Sequence, residues 1–298
     1  MINYQSKNMS YRFYKEYFDD MDLKYCEKET EVKDVKIRNQ GILEFDFYTK
    51  DSPYAQWKTI EGFRGFSLYT TYPGLLLGMG IEHRLSKKEI LKFGFSFDHV
   101  TGLPYIPGSS LKGMLRAYFP GDKKSETESA EYESYIRDIL GKPELDVYAL
   151  KNHIFEGNDV FLGAFPIIEE DRKLLAMDYI TPHKAHKDKL KSPNPISFLK
   201  VKPNVKFAFG FLISDFERQV TAEEKSQLFE TLLLDMGIGA KTNVGFGRFS
   251  KEKSKAVLDR SPKRTDGGRN FNHQGKGSGA GKSGGKNSQF RNDRGRRY

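Results

Sequence analysis

Four glycines, a lysine, a threonine and an asparagine crowd the run Gly237-Ile238-Gly239-Ala240-Lys241-Thr242-Asn243-Val244-Gly245-Phe246-Gly247-Arg248-Phe249. These residue types suit a phosphate chain. Glycine bares backbone amides and admits close approach, while Lys241, Thr242 and Asn243 add a cation and two polar side chains beside them. Gly239, Ala240, Lys241, Thr242, Asn243, Gly245 and Arg248 are therefore candidate contacts for such a chain. A tight helix-to-strand turn, in which glycine only relieves crowding, fits the same letters. Glycine recurring inside the expected strand favours binding.

A second run supports the first: Thr101-Gly102-Leu103-Pro104-Tyr105-Ile106-Pro107-Gly108-Ser109-Ser110-Leu111-Lys112-Gly113-Met114-Leu115-Arg116. Pro107-Gly108 ends a strand, and Ser109 or Ser110 is placed to cap a helix with Leu111, Met114, Leu115 and Tyr118 on its apolar face. Free amides at such a helix start attract anions. Lys112 and Arg116, four apart, share a face, and Gly113 leaves the flank open. Ser109, Ser110, Lys112 and Arg116 join the candidate phosphate contacts. An ordinary capped helix with two solvated cations is the plainer reading of this run.

Other chemistry is weakly supported. Gly281-Lys282-Ser283 lacks the glycine five residues before Gly281, where Lys276 stands, and no strand precedes it, so it is no nucleotide loop. Gly237-x-Gly239 follows a helix and has Thr242 at the third glycine position, which argues against a dinucleotide site. His183 and His186 with Asp178 or Asp188 have loose metal-ligand spacing in a loop, and no metal or other cofactor is expected. The same histidines, or Asp98-His99, could cleave RNA by acid–base chemistry, but no activating partner stands at fixed spacing. No catalytic residue is assigned.

The elements that must position these loops follow from periodicity. Thr221 and Glu224 have capping-box spacing, and Leu228, Leu232 and Met236 repeat at helical intervals up to Gly237. The order is helix, glycine loop, then a strand through Val244, Phe246 and Arg248. Val205, Phe207, Phe209, Phe211 and Ile213 alternate as a strand. Strands are also expected over Leu43 to Tyr48, Phe66 to Tyr72, and Val160 to Ile168, the last ended or bent at Pro166. Leu75 to Ile81 reads as an inner strand or a turn into one. Tyr14, Phe18 and Met21 form the stripe of an amphipathic N-terminal helix, more suited to docking than to base stacking. Residues 121–146 read as a surface insertion and 184–204 as a long, proline-rich loop.

Composition bounds the rest. The 298 residues have room for a real core, and no apolar stretch is long enough for a membrane helix. The N-terminus lacks a secretory pattern, and one cysteine, Cys26, permits no internal disulfide. A soluble, cytoplasmic protein is expected, with no membrane partner. Its net charge of +9 is uneven: residues 256–298 hold 11 Lys/Arg against 3 Asp/Glu, leaving 38 against 37 in residues 1–255. That tail has nine glycines and almost nothing to bury, so disorder is expected, with the salt-dependent RNA affinity of basic, glycine-spaced tails. The expected organisation is a folded domain over 1–255, with a helical extension over about 1–40, and a disordered basic tail over 256–298.

Together, Tyr105-Ile106-Pro107-Gly108-Ser109-Ser110-Leu111-Lys112-Gly113-x-x-Arg116 and the run from Gly237 to Phe249 resemble the two hallmark blocks of the RAMP (repeat-associated mysterious protein) family of CRISPR systems. Asp178-x-x-Thr181-Pro182-His183, with Pro195-Ile196-x-Phe198-Leu199, is similar to the sixth-subunit branch of Cmr, or type III-B, effector complexes. The resemblance covers roughly Leu75 to Phe249; it implies that the phosphate chain met by both runs is RNA, and adds His183 to that RNA-binding set. Gly163 departs from it, standing where relatives tend to carry an aspartate. The resemblance implies an α+β, ferredoxin-like (RRM-type) RAMP fold with loop insertions. It also implies a non-catalytic backbone subunit that binds guide RNA near its 3′ end, target RNA and the other Cmr subunits, in antiviral defence. A metal-independent endoribonuclease that processes guide precursors is the family's other possibility.

Overall fold

Phe207, Phe209 and Phe211 are fully buried on one face of a strand whose other face carries Ala208 and Gly210. Burying each phenylalanine contributes about 1.5–3 kcal/mol, so this strand organises the core. The computed structural model describes residues 4–19, 21, 33–48, 53–81, 89–121, 124–157, 159–180 and 195–254. These belong to the compact unit Met1–Val257. In chain order the elements are α1 (Met9–Tyr14), a 3-10 turn (Glu16–Phe18), α2 (Lys33–Leu43), α3 (Pro53–Trp57), β1 (Phe63–Thr70), β2 (Gly78–Ile81) and β3 (Phe93–Phe95). There follow α4 (Gly108–Arg116), α5 (Glu126–Leu140), α6 (Val147–Glu156), β4 (Val160–Ile167), β5 (Leu175–Ile180), β6 (Ile196–Val201), β7 (Lys206–Leu212), α7 (Ala222–Met236) and β8 (Phe249–Ser250).

The fold is mixed helix and sheet, with antiparallel sheets. The largest sheet has the order β4-β7-β1-β8. Its four strands alternate with two helices along the chain as β1-α4-β4-β7-α7-β8. Helix α4 packs on β4, α7 on β1, and the two helices touch. Between them and the sheet, Phe211 meets Phe229 at 5.2 Å and Phe161 at 5.8 Å, centroid to centroid. The opposite face carries α3. Its Trp57 sits against Gly210, where a Cβ would lie 2.5 Å from Trp57 Cε3, and Tyr54 covers Gly65, the registered partner of Gly210. Two paired glycines thus leave room for an indole and a phenol side by side.

Helix α7 begins as its sequence dictates. Thr221 accepts from the Glu224 amide while Glu224 accepts from the Thr221 amide, a complete capping box. The stripe of Leu228, Phe229, Leu232 and Leu233 is buried, and Lys225 lies on it. The Lys225 ammonium donates to Asp159 at 2.7 Å with both side chains fully buried. Asp159 also accepts from the Ser214 amide at 3.2 Å, and His153 Nε2 lies 4.0 Å away. Burial first, and Lys225 second, lowers the His153 pKa, although Asp159 opposes the shift. As pH falls the unfolded chain therefore takes up this proton first. The contribution of His153 is present above about pH 6.5 and is lost as pH falls through the lower folded value. His153→Gln should flatten the stability curve below that pH. Parallel curves for variant and parent would show that this histidine is not linked to folding.

Several expectations need correction. Leu43 ends α2, and residues 45–48 pair in no ladder, although Phe45 and Phe47 are buried and Tyr48 is exposed as the alternation required. The N-terminal stripe is broken: α1 ends at Tyr14, and Met9, Phe13 and Tyr17 are buried in the chain's own core. In β4 the register slips between Phe161 and Gly163, not at Pro166, which pairs with Phe207 on this edge strand. Gly163 has φ +100°, and a Cβ there would lie 2.4 Å from Ile106 O. Residues 196–201 of the expected long loop form β6, paired with β5. Residues 126–140 of the expected insertion form one capped helix, α5.

Candidate nucleic-acid interface

Both glycine-bearing runs meet in one cleft of about 540 Å³. One wall is Pro107, Ser110, Met114 and Tyr118 at the start and along one side of α4; the other is 236–240 with Thr242. The floor is Leu76, Leu77 and Gly78, where the chain runs from β1 towards β2. The glycine loop is fastened to that floor. Ala240 donates to Leu76 O at 3.2 Å, Gly247 donates to Gly74 O at 2.8 Å, and Ile238 donates to Gly247 O at 2.9 Å. Phe246 is buried in a small cluster with Leu76 and Phe198, which joins the loop to β6.

Local conformation then sets the chemistry. Lys241 is left-handed, with φ 61° and ψ 37°, and a right-handed 3-10 turn, Thr242–Val244, follows at once. A left-handed residue followed by right-handed ones turns successive amides into one concavity, an anion-binding nest. Among the described residues no backbone acceptor takes the amides of Lys241, Thr242 and Asn243. The Lys241 and Asn243 side chains are exposed beside them. Helix α4 adds its first-turn amides, which have no partner within the helix.

The structure separates the remaining candidates. Ser110 lines the cleft and Ser109 is exposed, but neither caps α4: the cap position is Pro107, with no side-chain bond, and both serines lie inside the first turn. Lys112 and Arg116 lie on the other side of α4. Lys112 stands 5.8 Å over the Phe161 ring, and Arg116 pairs with Glu156 at 2.8 Å. Arg248 donates to Asp235 O at the end of α7 and so caps that helix. Gly239 and Ala240 are exposed, but a Cβ at Gly239 would lie 2.5 Å from Leu76 O and its φ is +99°. Gly239 therefore fits the loop to its own floor. Gly245 has φ +94° and ends the 3-10 turn. No strand runs through 244–248, so its glycines belong to the loop. His183 lies outside the described residues, as do His186 and Asp188.

No acid–base pair forms at Asp98-His99. Asp98 Oδ2 accepts from the Thr101 amide and hydroxyl, each at 2.7 Å, and closes a turn. Asp178 instead pairs with Lys200 at 2.8 Å. Among the described residues no three His, Cys, Asp or Glu side chains are grouped to hold a metal, and no helix is long and apolar enough to cross a membrane. Sequence reasoning missed the cleft floor and the buried Lys225–Asp159 pair. A lysine on the apolar stripe of α7 was the one signal for the pair.

The sequence profile of the RAMP superfamily matches residues 67–250. The CRISPR system CMR subunit Cmr6 of Saccharolobus solfataricus is 32% identical over 181 residues, covering 60% of this chain and 55% of that protein. Cmr6 of Pyrococcus furiosus is 28% identical, covering 60% of this chain and 66% of that one. The chain thus spans between about half and two thirds of the length of these relatives. A chain of the cryo-EM structure of the Type III-B Cmr-beta bound to cognate target RNA superposes with a TM-score of 0.49 at 22% identity, covering 81% and 84%. The crystal structure of Cmr6 from Pyrococcus furiosus gives a TM-score of 0.40 at 25% identity, covering 65% and 99%. With its profile matched across more than half of its length and both hallmark runs facing one cleft, the chain belongs to the RAMP superfamily.

Proposed function

We propose that this chain is a non-catalytic, RNA-binding subunit of a cytoplasmic type III-B CRISPR (Cmr) effector complex, holding guide RNA near its 3′ end together with the paired target RNA. The observation that carries the reading is the nest at 241–243, whose Thr242 lines the cleft and whose Lys241 is exposed. Phosphate oxygens suit that arrangement, and successive phosphates of a single strand would pass from the nest towards the start of α4. The relatives named as Cmr6 support the assembly. The strand order β4-β7-β1-β8 with α4 and α7 on one face supports a ferredoxin-like arrangement.

The test is RNA retention by complexes carrying Lys241→Ala. Losing one phosphate contact should make the slope of log affinity against log salt shallower by about 0.7. Deleting 256–298 should also flatten the slope, by the same amount for each tail contact removed. His99→Ala, His183→Ala and His186→Ala should leave RNA cleavage unchanged. Undiminished retention by a folded Lys241→Ala complex would refute the site. Cleavage abolished by one histidine change while RNA still binds would establish the endoribonuclease instead.

A further inference from the structure

Residues 71–74 connect β1 to the cleft floor and are held against the glycine loop on both sides of one exposed ring. Thr71 donates its amide and its hydroxyl to Arg248 O, at 3.0 and 3.2 Å. Gly74 donates to Thr71 O at 2.8 Å and accepts from Gly247 at 2.8 Å. Pro73 stands close to the loop: a Cβ added at Gly245 would lie 3.4 Å from Pro73 Cδ. Between these anchors Tyr72 is 63% exposed, and no described residue supplies its ring with a stacking partner or its hydroxyl with a hydrogen bond. Val244, one residue before Gly245, is 61% exposed.

The geometry points to Tyr72 as a stacking residue for an unpaired RNA base, beside the phosphate taken by the nest at 241–243. This rests on the proposed RNA-binding function and deepens it. Single-strand binding combines a cationic backbone track with aromatic faces, because every base has a π-face whatever its identity. Lys241 and the nest amides supply the track; among the described residues Tyr72 supplies the free face next to it. Stacking then costs the rotamer freedom of the ring but no further ordering of its backbone. The contact tolerates any base and sets where along the strand the loop engages. A protein partner would also use an exposed tyrosine, but the neighbouring anion site favours nucleic acid.

The experiment is a titration of the full chain with a mixed-sequence single-stranded RNA of about 12 nucleotides, about one protein site size, and with the same strand made abasic at each position in turn. Variants are Tyr72→Ala, Tyr72→Phe and Lys241→Ala, each checked by thermal unfolding. Tyr72→Ala should weaken binding by about 5- to 160-fold, the usual range for one stacked base, without changing the salt slope. Tyr72→Phe should bind like the parent, and one abasic position should abolish the difference between parent and Tyr72→Ala. Equal affinity of Tyr72→Ala and parent overturns the stacking role, as does an equal loss in Tyr72→Phe, which would assign the effect to the hydroxyl. Loss of partner subunits with RNA affinity kept would place the ring at a protein contact and overturn it too. If Lys241→Ala and Tyr72→Ala are both without effect, the RNA-binding reading itself falls. If Lys241→Ala alone weakens binding, that reading stands without the stack.

Discussion

Lys225→Ala should cost about 3–5 kcal/mol of stability, since it leaves the Asp159 carboxylate buried without its cation. The pair is 2.7 Å apart and neither side chain reaches solvent, so water cannot replace the missing partner. Asp159→Ala should cost at least as much, because it also orphans the Ser214 amide. At about 2–4 °C per kcal/mol for a domain of this size, the melting temperature should fall by about 6–20 °C. Joint replacement, Lys225→Met with Asp159→Leu, should recover most of that loss, because an apolar pair of similar volume avoids the desolvation of two ions. Denaturant unfolding of the two single variants and the double variant gives the coupling directly. Singles that each lose less than about 1 kcal/mol would mean that the pair is hydrated in solution. The functional sense of the pair is positional: it ties the first turns of α7 to the start of β4, and α7 ends at the glycine loop.

The second large effect is expected at Gly247→Ala. A Cβ there would lie 1.9 Å from Ile238 O, and φ is +69°. Left-handed backbone costs a residue with a side chain about 1–2 kcal/mol. Relieving an overlap with fixed backbone adds about 1–3 kcal/mol. Ile238 and Gly74 would both move, since each is bonded to Gly247, so cleft wall and floor would separate. RNA affinity should fall together with stability. Gly113→Ala is the contrast: no heavy atom lies within 4 Å of its Cβ position, and it sits in a helix. Alanine there should stabilise by about 0.5–1 kcal/mol. Thermal unfolding of both variants, followed by RNA titration, separates the cases. A Gly247→Ala protein as stable as the parent would show that the loop has another conformation within easy reach.

The sequence by itself determined what local chemistry governs. The α7 capping box was readable because its bonds join residues three apart, and β7 because its alternation is a property of the strand alone. A glycine loop after a helix was legible without coordinates because Gly237 follows the last apolar repeat. The strand expected through 244–248 does not form, and Gly245 and Gly247 take positive φ in the loop instead. Only the tertiary structure decided what those glycines face. Gly239 fits Leu76 and Gly247 fits Ile238, contacts that join segments without local pattern. The four-residue spacing of Lys112 and Arg116 put them on one face, yet the packing of α4 on β4 turned that face to Phe161 and Glu156 and left Ser110, Met114 and Tyr118 on the cleft. Asp159 and Lys225 are 66 residues apart, and Gly65 and Gly210 meet only through strand pairing. Local periodicity says which side of an element is apolar. Which neighbour covers it depends on long-range pairing and packing, which no single stretch of the chain records.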